Sequence, residues 1–150
     1  MRYLIVAVAL IALFPSTTSA QSLEGGWQRT SITFEGGQNP GTSTQPSFVM
    51  FTAGHFMAME INSPEPRPAL GDSPSGADIA AAIGPFAALA GPYEMNGSTL
   101  VINPSMGHLP GADSLTFTFE ISFEGNDSMT SVTTDENTGV TTTRRYVRVD

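Results

Sequence analysis

The sequence predicts an all-β fold: an eight-stranded antiparallel up-and-down barrel with one short helix between its third and fourth strands. Three observations predict it. Short segments of strand-forming residues recur at even spacing, each bounded by glycine, proline or asparagine. Residues 115–123 place Leu115, Phe117, Phe119, Ile121 and Phe123 at every second position, which puts five large apolar groups on one face. Gly25-Gly26-Trp27 opens the first strand with the single tryptophan of the chain, a large apolar group suited to plugging one end of a small closed barrel.

Ahead of that strand, Met1 and Arg2 precede an apolar run over residues 3–14, and residues 15–20 end in Ser19-Ala20. This is the pattern of a signal peptide over residues 1–20, with cleavage expected after Ala20, and the run is shorter than the ~20 residues that a spanning helix needs. No membrane span is expected. Residues 21–150 form one domain, large enough to bury a core. The chain has no cysteine, so neither a disulfide nor a thiolate metal site is available. Removal of Arg2 with the leader leaves five arginines and no lysine against fourteen acidic residues, a formal charge of −9. Such a surface repels nucleic acid and anionic lipid. The expected address is the periplasm or the exterior.

The first strand covers residues 27–34, and a Gly-, Asn- and Pro-containing loop follows over 35–46. Residues 48–52 and 56–61 make a hairpin around Ala53-Gly54. Pro64, Pro66, Pro68 and Pro74 keep residues 62–75 out of any sheet, because proline lacks the backbone donor. Ser75 followed by Asp78 resembles a capping box, and Ile79, Ile83, Phe86 and Ala90 recur at helical spacing; a helix is predicted over 76–90 with a break at Gly84-Pro85. Residues 93–95 and 99–102 flank Asn96-Gly97, a strong hairpin signal. After the strand at 115–123, turns at 125–127 and 135–139 introduce strands over 129–133 and 140–149. Eight strands close a barrel wide enough for side chains or one small ligand.

Candidate binding residues follow from this layout. His55 and His108 are the only histidines and sit beside turns. Met57 and Met59 share a strand face with His55, while Phe56, Ala58 and Glu60 share the other, and only one set can face inward. Six methionines follow the leader, and flexible thioethers suit either core filling or an adaptable cavity. Arg67 lies between two prolines that stiffen its loop, so it can hold an anionic group at the mouth or pair with Glu60, Glu65 or Asp72. Tyr93, Phe117 and Phe119 complete the candidates. The chain has no His-x-His or His-x-x-x-His spacing, Gly-x-Ser-x-Gly elbow or phosphate-cradling glycine loop, so no metal, cofactor or catalytic residue is assigned.

Gly25-x-Trp27 with eight antiparallel strands and Arg144, Arg145 and Arg148 on the last one resembles the lipocalin or calycin pattern, in which a C-terminal arginine stacks over the tryptophan at the barrel floor. The run Phe51-Thr52-Ala53-Gly54-His55-Phe56, then Pro66-Arg67-Pro68, Gly84-Pro85-Phe86 and Gly91-Pro92-Tyr93-Glu94, is similar to bacterial lipocalin-like domain proteins, most of them uncharacterised. Two features depart from lipocalins: the helix precedes the fourth strand, and no disulfide ties the tail. The resemblance implies the fold and carries no agreed activity. The expected function is binding of a small hydrophobic or amphipathic molecule inside the barrel, with the helix and the Pro-rich loop as a cap. The alternative is a cofactor-independent isomerase or cyclase using His55, His108, Tyr93 and Arg67 at the mouth, which requires at least two of these within about 4 to 6 Å inside the cavity. Neither oligomeric state nor ligand identity is written in the chain.

Overall fold

The computed structural model describes residues 21–38 and 40–149; the expected leader lies outside the described residues. Among the described residues there are ten strands and one α-helix: β1 (Gly25–Glu35), β2 (Gly41–Ser43), β3 (Phe48–Thr52), β4 (His55–Ile61), α1 (Gly76–Ile83), β5 (Phe86–Asn96), β6 (Thr99–Ile102), β7 (Met106–Gly107), β8 (Phe117–Glu124), β9 (Ser128–Thr134) and β10 (Thr141–Val149). Eight of them pair in the order β10-β9-β8-β6-β5-β4-β3-β1, and β10 pairs back onto β1. The result is a closed antiparallel barrel, which leaves no edge in the main sheet. β2 pairs with the far half of β1, from Ile32↔Ser43 to Phe34↔Gly41, and β7 adds two residues against β5. β2 lies in a segment expected to be a loop.

The two ends of the barrel differ. Tight turns join β3 to β4, β5 to β6 and β8 to β9, all at the end where β1 begins. Gly54 and Gly97 take φ of +80° and +66° there, a region that only glycine enters without strain. We call this end the floor. At the opposite end, the mouth, lie the connections over 36–47, 62–85, 103–116 and 135–140.

Trp27 seals the floor and is fully buried. Its indole Nε1 donates to Leu23 O at 2.8 Å, so the one polar atom of the plug is satisfied. Arg148, opposite Trp27 in the β1–β10 register, lays its guanidinium 4.2 Å from the ring centroid. The same group donates to Asn126 O at 2.9 Å, Glu24 O at 2.5 Å and Ser22 O at 2.7 Å. Gly25, at φ +124°, makes room for this arginine: a Cβ there would stand 2.5 Å from Arg148 Nη1. Above the plug, Phe51, Phe56, Leu100, Ile121, Met129 and Tyr146 form the core.

Strand β1 departs from simple alternation. Its register with β10 shifts between Arg29 and Ser31, a bulge at Thr30. Trp27 and Arg29 point inward before the bulge, opposite Arg148 and Tyr146; Ile32 and Phe34 take over after it, opposite Arg144 and Thr142. The bulge therefore places an arginine and an isoleucine, three positions apart, on one inner wall.

The helix begins as expected. Ser75 Oγ accepts from Asp78 N at 3.2 Å, and Asp78 Oδ2 accepts from Ser75 N at 2.8 Å, a complete capping box. It ends at Ile83 rather than running to 90. Gly84-Pro85 terminates it, and Phe86 to Ala90 pair instead with Ile61 to Met57 of β4. Sheet pairing thus overrides the helical spacing of Phe86 and Ala90. Leu115 also lies outside its expected strand, which begins at Phe117, and is exposed.

Candidate functional site

The barrel encloses a cavity of about 1180 Å³ that opens at the mouth. Its lining follows from strand alternation. Ala87 and Leu89 of β5, Leu100 and Ile102 of β6, and Phe117 and Phe119 of β8 form an apolar wall. Ser131 and Thr133 of β9, with Thr142, Arg144 and Tyr146 of β10, form a polar one, joined across the interior by Glu60 of β4. The loops at His108–Ala112 and at 134–138 rim the opening.

At the polar wall four side chains from three strands converge. Tyr146 Oη donates to Glu60 Oε1 at 2.7 Å. Arg29 Nη1 lies 3.7 Å from the same oxygen, and Arg144 Nε lies 3.6 Å from Glu60 Oε2. Arg29 is 2 % exposed, and its guanidinium is also held by Asn62 Oδ1 at 3.1 Å and Ile61 O at 2.5 Å. Desolvation pulls Arg29 below the usual arginine range, opposed by the charge of Glu60. Burial pushes the Tyr146 hydroxyl well above its ordinary value, and the Glu60 carboxylate adds to the shift. Tyr146 is therefore a neutral donor whose proton is committed to Glu60. Nε of Arg29 and both Nε and Nη1 of Arg144 are buried with no hydrogen-bond partner among the described residues. Phe119 packs against Arg144, its ring centroid 5.7 Å from Cζ.

The residues expected from sequence divide between inside and outside. Phe117 and Phe119 line the cavity, their rings stacked at 6.5 Å. His108 lines it at the rim, where Nδ1 accepts from Ala88 N at 3.2 Å and the ring meets Phe86 edge-on at 5.9 Å. That acceptor role assigns the proton of the neutral ring to Nε2. Tyr93 belongs to the floor, edge-on to Phe51 at 5.2 Å, and does not line the cavity; desolvation raises its pKa, with a smaller contribution from Glu24.

His55, Met57 and Met59 lie on the outer face of β4; Met57 and Met59 are 48 % and 51 % exposed, and the inner positions are Phe56, Ala58 and Glu60. Arg67 does not line the cavity and pairs with none of the three expected carboxylates. Its Nε donates to Ala82 O at 2.6 Å, where the last turn of α1 has a carbonyl to satisfy, and its guanidinium sits 5.3 Å from the Phe86 ring centroid. No residue of α1 lines the cavity, so the helix and its proline-rich approach do not form the expected cap. Of His55, His108, Tyr93 and Arg67, only His108 lines the cavity. The structure does not bring them together in it.

Sequence reasoning missed the polar cluster. Glu60 entered as a surface partner for Arg67, and Arg144 as a candidate for the floor. The floor position belongs to Arg148. The available signal was Arg144 and Tyr146 two apart on the last strand, which alternation puts on one face with Arg148. Arg145 then falls on the other face and is exposed. Arg29 gave no such signal, because the bulge breaks the count.

Among the described residues no cluster of three or more histidine, aspartate or glutamate side chains is arranged for a metal ion, and no helix is long and apolar enough to cross a membrane. No family model matches the chain, and no curated protein matches it. Among solved structures, an uncharacterized protein from Bacteroides eggerthii is similar over 83 % of this chain and 98 % of that one, at 14 % identity and a TM-score of 0.46.

Proposed function

We propose that this protein is an exported, calycin-type barrel of the lipocalin-like kind that binds a small amphipathic molecule in its interior. The observation that carries the reading is the cavity of about 1180 Å³, in which an apolar wall faces a buried polar one. A packed structural barrel has no use for such a volume, since voids forfeit the contacts that hold a core together. The partial exposure of Phe117, Phe119 and Leu89 shows what that volume forgoes, because these side chains could pack more tightly in a filled interior. Small-molecule pockets combine mostly apolar linings with a few fixed polar groups, and both are present here. The residues assigned to contact are Phe117, Phe119 and His108, together with Leu89, Ile102 and Arg144. The signal-like leader supports a periplasmic or secreted address.

Native mass spectrometry of protein purified from its own host tests the proposal. The expected spectrum carries an adduct of small-molecule mass that is lost on denaturation. A bare protein that also fails to take up dodecanol in calorimetry, up to the solubility of the alcohol, refutes it.

A further inference from the structure

We infer that the pocket is selective for a singly charged anion, a carboxylate on an apolar chain, whose head is seated against Arg144. The inference rests on the pocket reading above and adds the chemical class of the ligand. Arg29 and Arg144 face a single carboxylate, Glu60, while Tyr146 stays neutral, so the cluster carries one surplus positive charge within the barrel wall. A buried charge without a partner is costly, and a positive one is stabilised by an anion brought beside it.

Hydrogen bonding locates where that anion goes. Arg29 is already held by Asn62 and Ile61. Glu60 Oε1 is taken by Tyr146. Arg144 is different: its side chain is only 12 % exposed, and the carboxylate it pairs with stands at 3.6 Å, too far for a hydrogen bond. Nε and Nη1 keep donors that nothing among the described residues accepts. Arg144 also lines the cavity, and although Nε and Nη1 are themselves covered, a ligand head seated there lies beside its guanidinium. Guanidinium and carboxylate form strong charge-assisted hydrogen bonds, and a monoanion matches a surplus of one. A doubly charged head would leave the site negative beside Glu60, and a neutral head would leave the surplus in place. Phe119, which packs on Arg144, continues into Phe117, so an apolar chain leaving the head lies directly along β8.

The test compares dodecanoate, dodecanol and dodecyl phosphate by isothermal titration calorimetry on the purified protein at pH 7.5. Dodecanoate is expected to bind at least tenfold more tightly than dodecanol, with dodecyl phosphate weaker than dodecanoate. Arg144→Gln is expected to bring dodecanoate down to the affinity of dodecanol while leaving dodecanol within about twofold of its original value. Glu60→Gln is expected to strengthen dodecanoate severalfold and leave dodecanol unchanged. Equal affinity for dodecanoate and dodecanol in the unmodified protein overturns the anion inference and leaves the pocket reading standing, even if neither variant folds. Parallel loss of both ligands in a folded Arg144→Gln protein also overturns it, since Arg144 would then be shaping the wall alone. Failure of all three ligands to bind overturns both readings.

Discussion

Replacing Arg148 with alanine is expected to open the floor of the barrel, and the cost can be worked from its contacts. The guanidinium lies 4.2 Å from the Trp27 ring centroid and donates to the carbonyls of Ser22, Glu24 and Asn126. A cation–π contact of this kind contributes about 0.5 to 2 kcal/mol. Each hydrogen bond, discounted for its position near solvent, adds about 0.5 to 1 kcal/mol. The expected loss is about 2 to 5 kcal/mol. With a urea dependence of about 2 kcal/mol per molar, the unfolding midpoint falls by about 1 to 2.5 M. Trp27 is the only tryptophan, so its emission follows both the unfolding transition and the local change. The variant should also be quenched more readily by acrylamide in the native state. Arg148→Lys is expected to recover less than half of the loss, because an ammonium cannot lie flat on the indole while serving three divergent carbonyls. A midpoint within 0.3 M of the parent, at the urea dependence above, together with unchanged quenching, would refute the assignment of floor closure to this arginine.

Three further outcomes are expected. Gly91→Ala should destabilise the fold by about 2 kcal/mol or more in urea unfolding, because its Cβ would clash with the carbonyl oxygen of Asn103 and stand 2.6 Å from Ser105 N, backbone that cannot swing away. Asp78 and Asp135 are held below the usual carboxylate range by hydrogen bonds, from Ser75 in the first case and from the Asn137 and Thr138 amides in the second. Their contribution to stability is present above the unfolded-state pKa near 4 and is lost as pH falls through the lower folded value; a double Asp78→Asn, Asp135→Asn variant should therefore show a flatter urea midpoint between about pH 5 and pH 2 than the parent. Met57→Ala and Met59→Ala should leave dodecanoate affinity within about twofold, whereas Phe119→Ala should weaken it at least fivefold, as read by calorimetry, since the methionines face outward and the phenylalanine lines the cavity.

Most of the fold was legible because its signals are local. The alternation of β8, the Asn96-Gly97 turn and the Ser75 capping box each act within a few residues. The tail of the helix was misread for the same reason: Phe86 and Ala90 keep a helical spacing, yet their strand partners on β4 lie about 25 to 33 positions earlier in the chain. The candidate site was far less legible. On β4 both faces carry bulky apolar groups, and the one carboxylate, Glu60, turned inward. Its burial depends on Arg29 and Arg144, one placed by a bulge and the other by closure of the last strand on the first. No window along the chain contains all three. Phe117 and Phe119 were identified because β8 has a polar face and an apolar one, which decides the inward direction without help from other strands.

The separation of the two rims has a practical consequence. Three connections at the floor are tight turns, while every long one leaves from the mouth. Lengthening a loop adds closure entropy only logarithmically, so inserts there should be tolerated. None of those connections carries a contact to Trp27 or Arg148. The barrel therefore offers a scaffold for grafting: recognition segments can be exchanged at one rim while the opposite rim continues to hold the cylinder shut.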